Sequence, residues 1–415
     1  MPQTLLLQLA RLGDLIQSLP VISSLHTKFP EHVLDLLCAA PLAPLGRLFP
    51  GIQRVYPWEG EQWHSFSRIS DRVDEHQLEA ARVYLAGLAF PDYTLAYNLN
   101  NHPRSVLAAH LLSGRVVGAG AQGPLNPTLP PWVAYLRQVA GDRGSNRIHL
   151  ADAFCGVCGL NPSPVVPTLN VQDVELASGH QQVMYDSSLM KIGIVLGAGD
   201  PDRRVPLAAW RKVIEACADH LPNSLCVLIG GAGEREAALA LEDQLSPHYL
   251  SRVFNCVGRT SLPQLAHVFN QCQWVVGSDT GPLHLGVACG ARAIGWYFSR
   301  ARVHETGPYG EGHFVWQHQG NRHPEEKRIS LSTPRSEPPR IWPVMETIDL
   351  MRNHLPAGST DWALWSSHRD EWGMFYTNGV GPDHEVLQRK EVWEQLSRLS
   401  LQRQEWSRTN AVMVS

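Results

Sequence analysis

The sequence predicts an α/β fold with two doubly wound halves, followed by a C-terminal extension that is rich in tryptophan. Short apolar runs alternate with helical stretches twice along the chain, which is typical of parallel strands joined by crossover helices. Between the two series, Asn161–Asn170 carries three prolines, and these favour an extended connection without a helix. We therefore predict domains at residues 1–165 and 166–320 and an extension at 321–415.

Composition indicates a globular protein and excludes several classes. The chain has 415 residues, of which 44% are hydrophobic and 18% are charged, so it is too long for one small domain and too apolar for a disordered chain. The net charge of -4 and the absence of long runs of like charge argue against a nucleic-acid partner. The sequence shows no stretch of 18 apolar residues and no basic segment before its first apolar run, so we expect a cytoplasmic protein.

The first half is expected to alternate strands and helices from its first residues. Apolar runs predict strands at Leu5–Leu9, Val33–Ala39, Tyr93–Asn98 and Arg115–Gly118. Helical spacing or helix-start residues predict helices at Asp14–Thr27, Pro41–Leu48 and Ser105–Leu112. The segment Trp58–Phe90 is less regular, and we expect it to hold a helix near Glu75–Leu88 and a loop that faces a ligand.

The second half repeats the alternation. Strands are predicted at Lys191–Leu196, Ser224–Ile229, Val253–Cys256, Trp274–Gly277 and Ala291–Trp296. Helices are predicted at Leu207–His220, Glu234–Gln244, Ser261–Phe269 and Pro282–Cys289. The third of these helices has a secure start, because Ser261 and Gln264 form a capping box and Pro263 stands in the first turn.

The extension fits neither series of strands. Six of the 13 tryptophans lie in it, and so many large apolar rings predict that it packs on one or both domains. Helices are predicted at Pro343–Leu355 and within His384–Trp406, where apolar residues recur at near-helical spacing. A brace within the chain, a dimer contact and a partner site remain open as its role.

The eight cysteines are expected to be buried thiols. Cys155 and Cys158 have the spacing of a metal-binding pair, but no second pair follows at zinc spacing. We interpret them as inert, and we expect neither a metal nor another cofactor.

The loop after the first strand is the first candidate for a functional site. Ligand sites in parallel sheets lie at the carboxyl ends of the strands. Here Arg11 and Gly13 precede Asp14 at a helix start, and Gly13 lets the backbone approach a ligand closely. An ordinary helix cap is the competing interpretation of Asp14.

The loop after the first strand of the second half is the second candidate. It combines Gly197 and Gly199 with Arg203 and Arg204, and backbone amides and guanidinium groups both suit a phosphate. Gly230, after another strand, leaves room for a ligand. A glycine turn with solvated arginines is the competing interpretation, because no established phosphate-loop motif is present.

The strand, turn and helix around residues 274–290 are the third candidate. Asp279 or Thr280 is expected to cap the helix, with the amides of Gly281 and Leu283 directed outward as an anion site. His284 lies one turn into the helix, where it touches the same anion or packs against the sheet.

Three segments together resemble glycosyltransferase family 9, the bacterial ADP-heptose heptosyltransferases. They are Arg11–Pro20, Val257–Leu262 and Ser278–Leu285, in the family's order and spacing. The resemblance runs from about Thr4 to Leu355. It implies the GT-B fold, in which an acceptor domain and a nucleotide-sugar domain face each other across a cleft, and metal-independent transfer with inversion at the anomeric carbon.

The resemblance also implies roles for the candidate residues. Asp14 falls on the family's catalytic base, and Asp279, Thr280, Gly281 and His284 fall on the segment that binds the diphosphate and sugar of the donor. The family's lysine before Trp-Pro is replaced by Arg203-Arg204-Val205-Pro206, and arginine keeps the positive charge but has a different shape. We expect Arg203 and Arg204 to stabilise the departing diphosphate together with the helix start at Gly281.

Substrates and alternative functions stay open at this point. The expected donor is ADP-heptose, and the acceptor is a glycan, lipopolysaccharide core or a protein hydroxyl. Contact with the cytoplasmic face of the inner membrane and the oligomeric state are left open. A catalytically silent sugar-nucleotide binder with a partner-recruiting tail, or a sugar-nucleotide epimerase, would use the same fold.

Overall fold

The computed structural model describes residues 1–60, 75–123, 129–172, 183–319, 339–356, 358–379 and 388–402. Strands and helices are numbered below in chain order. Part of the loop that we predict to face a ligand, residues 61–74, lies outside the described residues.

The first half is built on a five-stranded parallel sheet. Its strands are β1 (Gln3–Gln8), β2 (Val33–Ala39), β3 (Ile52–Trp58), β4 (Leu95–Asn98) and β5 (Val116–Gly118). They lie in the order β3-β2-β1-β4-β5. The central strand β1 has its Leu5, Leu6 and Leu7 fully buried, because helices cover both faces of the sheet.

Helices of the first half follow the strands in turn. They are α1 (Leu12–Ile16), α2 (Leu19–Lys28), α3 (Ala43–Gly46), α4 (Glu75–Gly87), α5 (Pro103–Leu112), α6 (Pro131–Gly141) and α7 (Leu150–Val157). The single helix predicted at Asp14–Thr27 is two helices, because the chain turns at Gln17 and Ser18 and restarts with Pro20 in the first turn.

The second half is built on a larger, mixed sheet. Its parallel strands are β6 (Met190–Val195), β7 (Ser224–Ile229), β8 (Val253–Asn255), β9 (Trp274–Gly277), β10 (Arg292–Tyr297) and β11 (Phe314–His318). Two strands of the C-terminal extension, β12 (Trp362–Asp370) and β13 (Gly373–Thr377), continue the sheet antiparallel beyond β11. The order is β13-β12-β11-β10-β9-β6-β7-β8.

Helices of the second half lie between these strands. They are α8 (Leu207–His220), α9 (Arg235–Glu242), α10 (Pro247–Leu250), α11 (Leu262–Asn270), α12 (Gly281–Ala288), α13 (Val303–Thr306) and α14 (Val344–Met351). The helix start at Ser261 is confirmed: its Oγ accepts from the N–H of Gln264, and the Gln264 side chain accepts from the N–H of Ser261.

The extension packs against both halves. Trp342 and Trp362 continue a row of rings with Trp296 and Trp210 of the second half, with centroids 5.1 to 5.5 Å apart. A last helix, α15 (residues 388–402), carries Trp393, whose ring lies 4.5 Å from that of Trp132 in the first half. The extension therefore makes one hydrophobic contact with the second half and another with the first half.

The carboxyl ends of both sheets face each other across a cleft, and the two halves meet at its base. There α1 packs directly on α12. Among the described residues, the structure has no helix with the length and hydropathy needed to cross a bilayer.

Candidate active site

A cavity of about 580 Å³ lies in the cleft at the ends of β1, β6, β7 and β9. All ten residues that the sequence singled out border it: Arg11, Gly13, Asp14, Arg203, Arg204, Gly230, Asp279, Thr280, Gly281 and His284. Loops far apart in the sequence are therefore brought to one place, as the strand ends of two facing parallel sheets require.

Asp14 enters the cavity from the first half. It lies in the first turn of α1, where its Oδ2 accepts from the backbone N–H of the exposed Arg11 at 3.3 Å. Asp14 is not the cap residue itself, because Arg11 occupies that position, but as the third residue of the helix its carboxylate takes the accepting role of a capping box. Desolvation raises the pKa of Asp14 above its ordinary value, against the lowering effect of the Arg11 N–H and of the charges of His284 and Arg11.

Two glycines let α1 and α12 meet beside Asp14. A β-carbon on Gly13 would lie 3.5 Å from Cδ2 of His284 and 3.7 Å from Cα of Gly281. A β-carbon on Gly281 would lie only 2.9 Å from Cβ of Leu12. Since the backbones of both halves come this close, a side chain at residue 281 would separate the carboxylate of Asp14 from the opposite wall.

Asp279 organises the wall on the second half. Nη1 of Arg203 donates to the backbone O of Asp279 at 2.7 Å and lies 3.2 Å from its Oδ2. Nε2 of His284 lies 3.4 Å from its Oδ1. Burial acts to raise the pKa of Asp279, but the hydrogen bond and charge of His284 and the charges of Arg203 and Arg143 outweigh it, so the pKa lies below its ordinary value. Asp279 is thus an ionised carboxylate that fixes two side chains.

The start of α12 differs from our expectation. Thr280 occupies the cap position without a side-chain cap bond, and the Asp279 carboxylate is engaged by Arg203 and His284 instead. The N–H of Leu283 donates back to the O of Thr280 at 3.1 Å, so it is not directed outward. Gly281 still borders the cavity with the positive end of the helix behind it.

Arg204, Gly230 and Glu234 line the other end of the cavity. Arg204 is exposed, and its Nε lies 3.4 Å from the O of Ala198. Sequence analysis missed Glu234, whose Oε2 accepts from the N–H of Gly231 at 2.8 Å. A β-carbon on Gly197 would lie 2.7 Å from Cδ of Glu234, so this carboxylate depends on a glycine in the neighbouring loop.

Arg143 and Glu305 form a pair across the cleft that sequence analysis also missed. Nη1 of Arg143 lies 3.4 Å from Oε2 of Glu305. Glu305, on α13, is buried, and desolvation raises its pKa to about 7, with the charge of Asp279 acting in the same direction and that of Arg143 opposing it. No local motif marks either residue, because each is placed by the fold alone.

A second cavity of about 410 Å³ adjoins the first, and Asp14 and Glu305 border both. Its other walls come from the first half, including His102 at the start of α5. The carboxylate of Asp14 therefore lies at the boundary between the two cavities.

The described residues contain no group of three or more His, Cys, Asp or Glu side chains arranged to hold a metal ion. Cys155 and Cys158 are buried, and desolvation raises the pKa of both thiols. They have the character of core residues, since the thiolate is the form that binds metals.

Comparisons with known proteins agree with the fold. The model of glycosyltransferase family 9 (heptosyltransferase) matches residues 88–333. Lipopolysaccharide heptosyltransferase 2 of Escherichia coli K12 is 24% identical over 292 residues, which are 69% of this chain and 79% of that protein.

Solved structures show the same architecture. A family 9 glycosyltransferase from Veillonella parvula superimposes with a TM-score of 0.59 at 18% identity, over 76% of this chain and 87% of that one. ADP-heptose lipopolysaccharide heptosyltransferase II of E. coli gives 0.55 at 19% identity, over 74% and 87%. The prediction of a GT-B fold is confirmed. Since the family model also matches more than half of the sequence, the chain belongs to glycosyltransferase family 9 and is a glycosyltransferase.

Proposed function

We propose that this glycosyltransferase moves heptose from ADP-heptose to a hydroxyl group of a glycan, lipopolysaccharide core or protein, with inversion and without a metal. One observation carries the proposal. A carboxylate of the first half, Asp14, and a cationic wall of the second half, with Arg203 anchored on Asp279, border a single cavity. Sugar transfer from a diphosphate needs a proton acceptor and a stabiliser of negative charge on opposite sides of the reacting carbon.

The chemistry assigns one role to each side. Asp14 takes the proton of the acceptor hydroxyl as its oxygen bonds to the anomeric carbon, while the bond from that carbon to the diphosphate oxygen breaks. A pKa raised by desolvation suits this role, because a general base works best when its pKa approaches the working pH. Because the hydroxyl oxygen attacks in one step on the side opposite the leaving diphosphate, the configuration at the anomeric carbon is inverted.

The second half would hold the donor. Arg203 keeps donors beyond the Nη1 that Asp279 engages, and these would meet the diphosphate together with Arg204 and the backbone at Gly281. Because Asp279 is itself anionic, it would act on the diphosphate indirectly, by holding Arg203 and His284 in position. Glu234, which lines the same cavity, would accept from the hydroxyls of a ribose beside Gly230.

The identity of the donor rests on the relatives. One similar protein is named as an ADP-heptose heptosyltransferase, and the three motif segments resemble that family. Arginine in place of the family's lysine keeps the charge that a diphosphate requires. The chemistry also fits a location in the cytoplasm, where nucleotide sugars serve as substrates.

The test is to incubate the purified protein with ADP-heptose, and separately with UDP-glucose, in the presence of EDTA and of acceptor glycans. We expect transfer from ADP-heptose, with a product of inverted anomeric configuration by NMR. Conversion of the donor without any acceptor would indicate an epimerase instead. Binding without conversion would indicate a silent binder, and activity lost with EDTA would refute metal independence.

A further inference from the structure

The cavity of about 410 Å³ beside Asp14 has two chemically different walls. Amide side chains at the ends of β1 and β4 form one wall, with Gln8 and Asn100 at its centre. Apolar side chains of α6 and α7 form the other, among them Val133 and Phe154. The volume lies in the range typical of small-molecule sites. A sugar ring has matching surfaces, with a face of C–H groups and an edge of hydroxyls.

Hydrogen bonds fix how the Gln8 amide is oriented. The backbone N–H of Leu9 donates to Oδ1 of Asn100 at 2.6 Å, which leaves the Asn100 amide nitrogen as a donor. That nitrogen donates to Oε1 of Gln8 at 2.6 Å, and the N–H of Ala10 donates to the same oxygen at 3.3 Å. Because Oε1 accepts twice, the nitrogen of the Gln8 amide must occupy the other position.

This nitrogen is a donor without a partner among the described residues. Gln8 is fully buried, at 0% exposure, yet it borders the cavity. Its Nε2 has no hydrogen-bond partner in the part of the chain that the structure describes. A buried amide in this state is costly, and such groups in native proteins usually meet a ligand or water. A molecule bound in this cavity would supply the missing acceptor through one of its oxygen atoms, after a small shift of the Gln8 side chain, which has no accessible surface here.

Charge around the cavity disfavours an anion. Asp14 and Glu305 both present carboxyl groups to it. Among the described residues that line it, Arg137 is the guanidinium, and it occupies an exposed position at the rim. Burial, followed by the charge of Arg104, lowers the pKa of His102, so this ring stays neutral at pH 7. A carboxylate or phosphate on the ligand would meet like charges.

We propose that this cavity binds the acceptor as an uncharged sugar ring of a glycan, with a hydroxyl or ring oxygen accepting from Nε2 of Gln8 while the attacking hydroxyl faces Asp14. This inference rests on the proposed transferase function, and it narrows the acceptor to one chemical class. Gln8 is then a residue that determines acceptor specificity, and Asn100 is the residue that positions it.

The test compares two sugars of nearly equal shape. Methyl α-D-glucopyranoside is neutral, and methyl α-D-glucopyranosiduronate carries a carboxylate at the same place. Ligand-observed NMR titrations on the full chain, with and without saturating ADP, give their dissociation constants. We expect the neutral glycoside to bind at least ~10-fold more tightly. Tighter or equal binding of the uronate, or binding of neither, overturns the proposal.

A pair of variants isolates the Gln8 contact. Gln8→Leu removes the donor at similar volume, and we expect it to weaken binding of the neutral glycoside about 3- to 10-fold with ADP affinity unchanged. Gln244→Leu makes the same change at an exposed site outside the cavity and should change neither. Unaltered glycoside binding by a folded Gln8→Leu protein overturns the role of Gln8.

Calorimetry with ADP separates this proposal from the function on which it rests. If the wild-type protein binds no ADP, the proposed donor fails, while the titrations without ADP still compare the two sugars. If ADP binds and the uronate is preferred, the transferase proposal stands and the uncharged acceptor is refuted. The Gln8→Leu result is interpreted only if that variant has the same thermal unfolding curve as the wild type. The comparison of the two sugars on the wild-type protein does not depend on the variant.

Discussion

Nη1 of Arg143 lies 3.4 Å from Oε2 of Glu305, and this ion pair joins the two halves of the molecule at the cleft. Arg143 belongs to the turn after α6 in the first half, and Glu305 to α13 in the second. Glu305 also borders both ligand cavities. A contact that holds the halves together is therefore part of the wall that substrates would touch.

The first prediction concerns the energy of this pair. Arg143→Ala removes the cation that is paired with the buried Glu305 carboxylate, and we expect the free energy of unfolding to fall by ~1–2 kcal/mol at pH 8. The effect is smaller than for a fully buried pair, because the Arg143 side chain is 38% exposed. Urea unfolding measures it.

A double-mutant cycle is the control for that prediction. In the Glu305→Gln background no carboxylate is stranded, so Arg143→Ala should cost less there than in the wild type. Equal costs in both backgrounds would show that Arg143 acts through packing and not through the charge of Glu305.

The second prediction is a pH dependence that Glu305 contributes. Burial raises its pKa to about 7 from an ordinary 4.5. Between these values the folded protein holds a proton that the unfolded chain has released, so this group makes stability fall as the pH rises through the interval. Relative to Glu305→Gln, the wild type should lose unfolding free energy from pH 5 to pH 8. Glu311→Gln, at an exposed site, is the matched control. If the difference in unfolding free energy between the wild type and Glu305→Gln stays constant from pH 5 to pH 8, the assignment to Glu305 is contradicted.

The fold could be predicted where its determinants are local. Val33–Ala39, Ser224–Ile229 and the capped helix start at Ser261 match the structure because apolar runs and cap residues act within a few positions. The strand Ile52–Trp58 was missed, since it is an edge strand with exposed Gln53 and Arg54. The strand Trp362–Asp370 was missed because its extended conformation depends on pairing with β11, which lies far away in the sequence.

The residues of the site also fall into those that the sequence could predict and those that it could not. Asp14 and Asp279 lie in the segments that follow β1 and β9, so the rule that ligands bind at strand ends found them. Arg143 and Glu305 have no such signal, and Gln8 belongs to the strand β1 itself. Gln8 is a polar residue at the end of a strand, and only the approach of Asn100 from the loop after β4 shows that its amide nitrogen has no partner in the described part of the chain.

The third prediction tests the base. Asp14→Asn removes the proton acceptor at constant size, and we expect turnover to fall ~10²- to 10⁴-fold. ADP affinity should stay near that of the wild type, because the proposed phosphate contacts lie on the second half. Initial rates and calorimetry measure the two quantities, and unchanged turnover would remove Asp14 from the role.

The pH profile of turnover gives a fourth, independent prediction. Desolvation raises the pKa of Asp14 above 3.8, and the carboxylate is the active form, so activity should fall as the pH drops through that raised value. Glu305 borders the same cavity, and burial raises its pKa to about 7. Glu305→Gln should therefore keep the acid limb that belongs to Asp14, and loss of the limb in this variant would assign it to Glu305.

The last prediction concerns donor binding by Arg203. Its Nη1 is held by Asp279, so the rest of the guanidinium is fixed in place, whereas Arg204 is exposed at the rim. We expect Arg203→Ala to weaken ADP binding ~10-fold or more, as loss of a charge-assisted contact does, and Arg204→Ala to weaken it less. Calorimetry on both variants compares them directly. Arg203→Lys keeps the charge and loses the fork, so it should recover only part of the affinity. Wild-type affinity in Arg203→Ala would move the phosphate contact to Arg204 or to the backbone at Gly281, and the anchoring by Asp279 would then serve only to close the wall of the cavity.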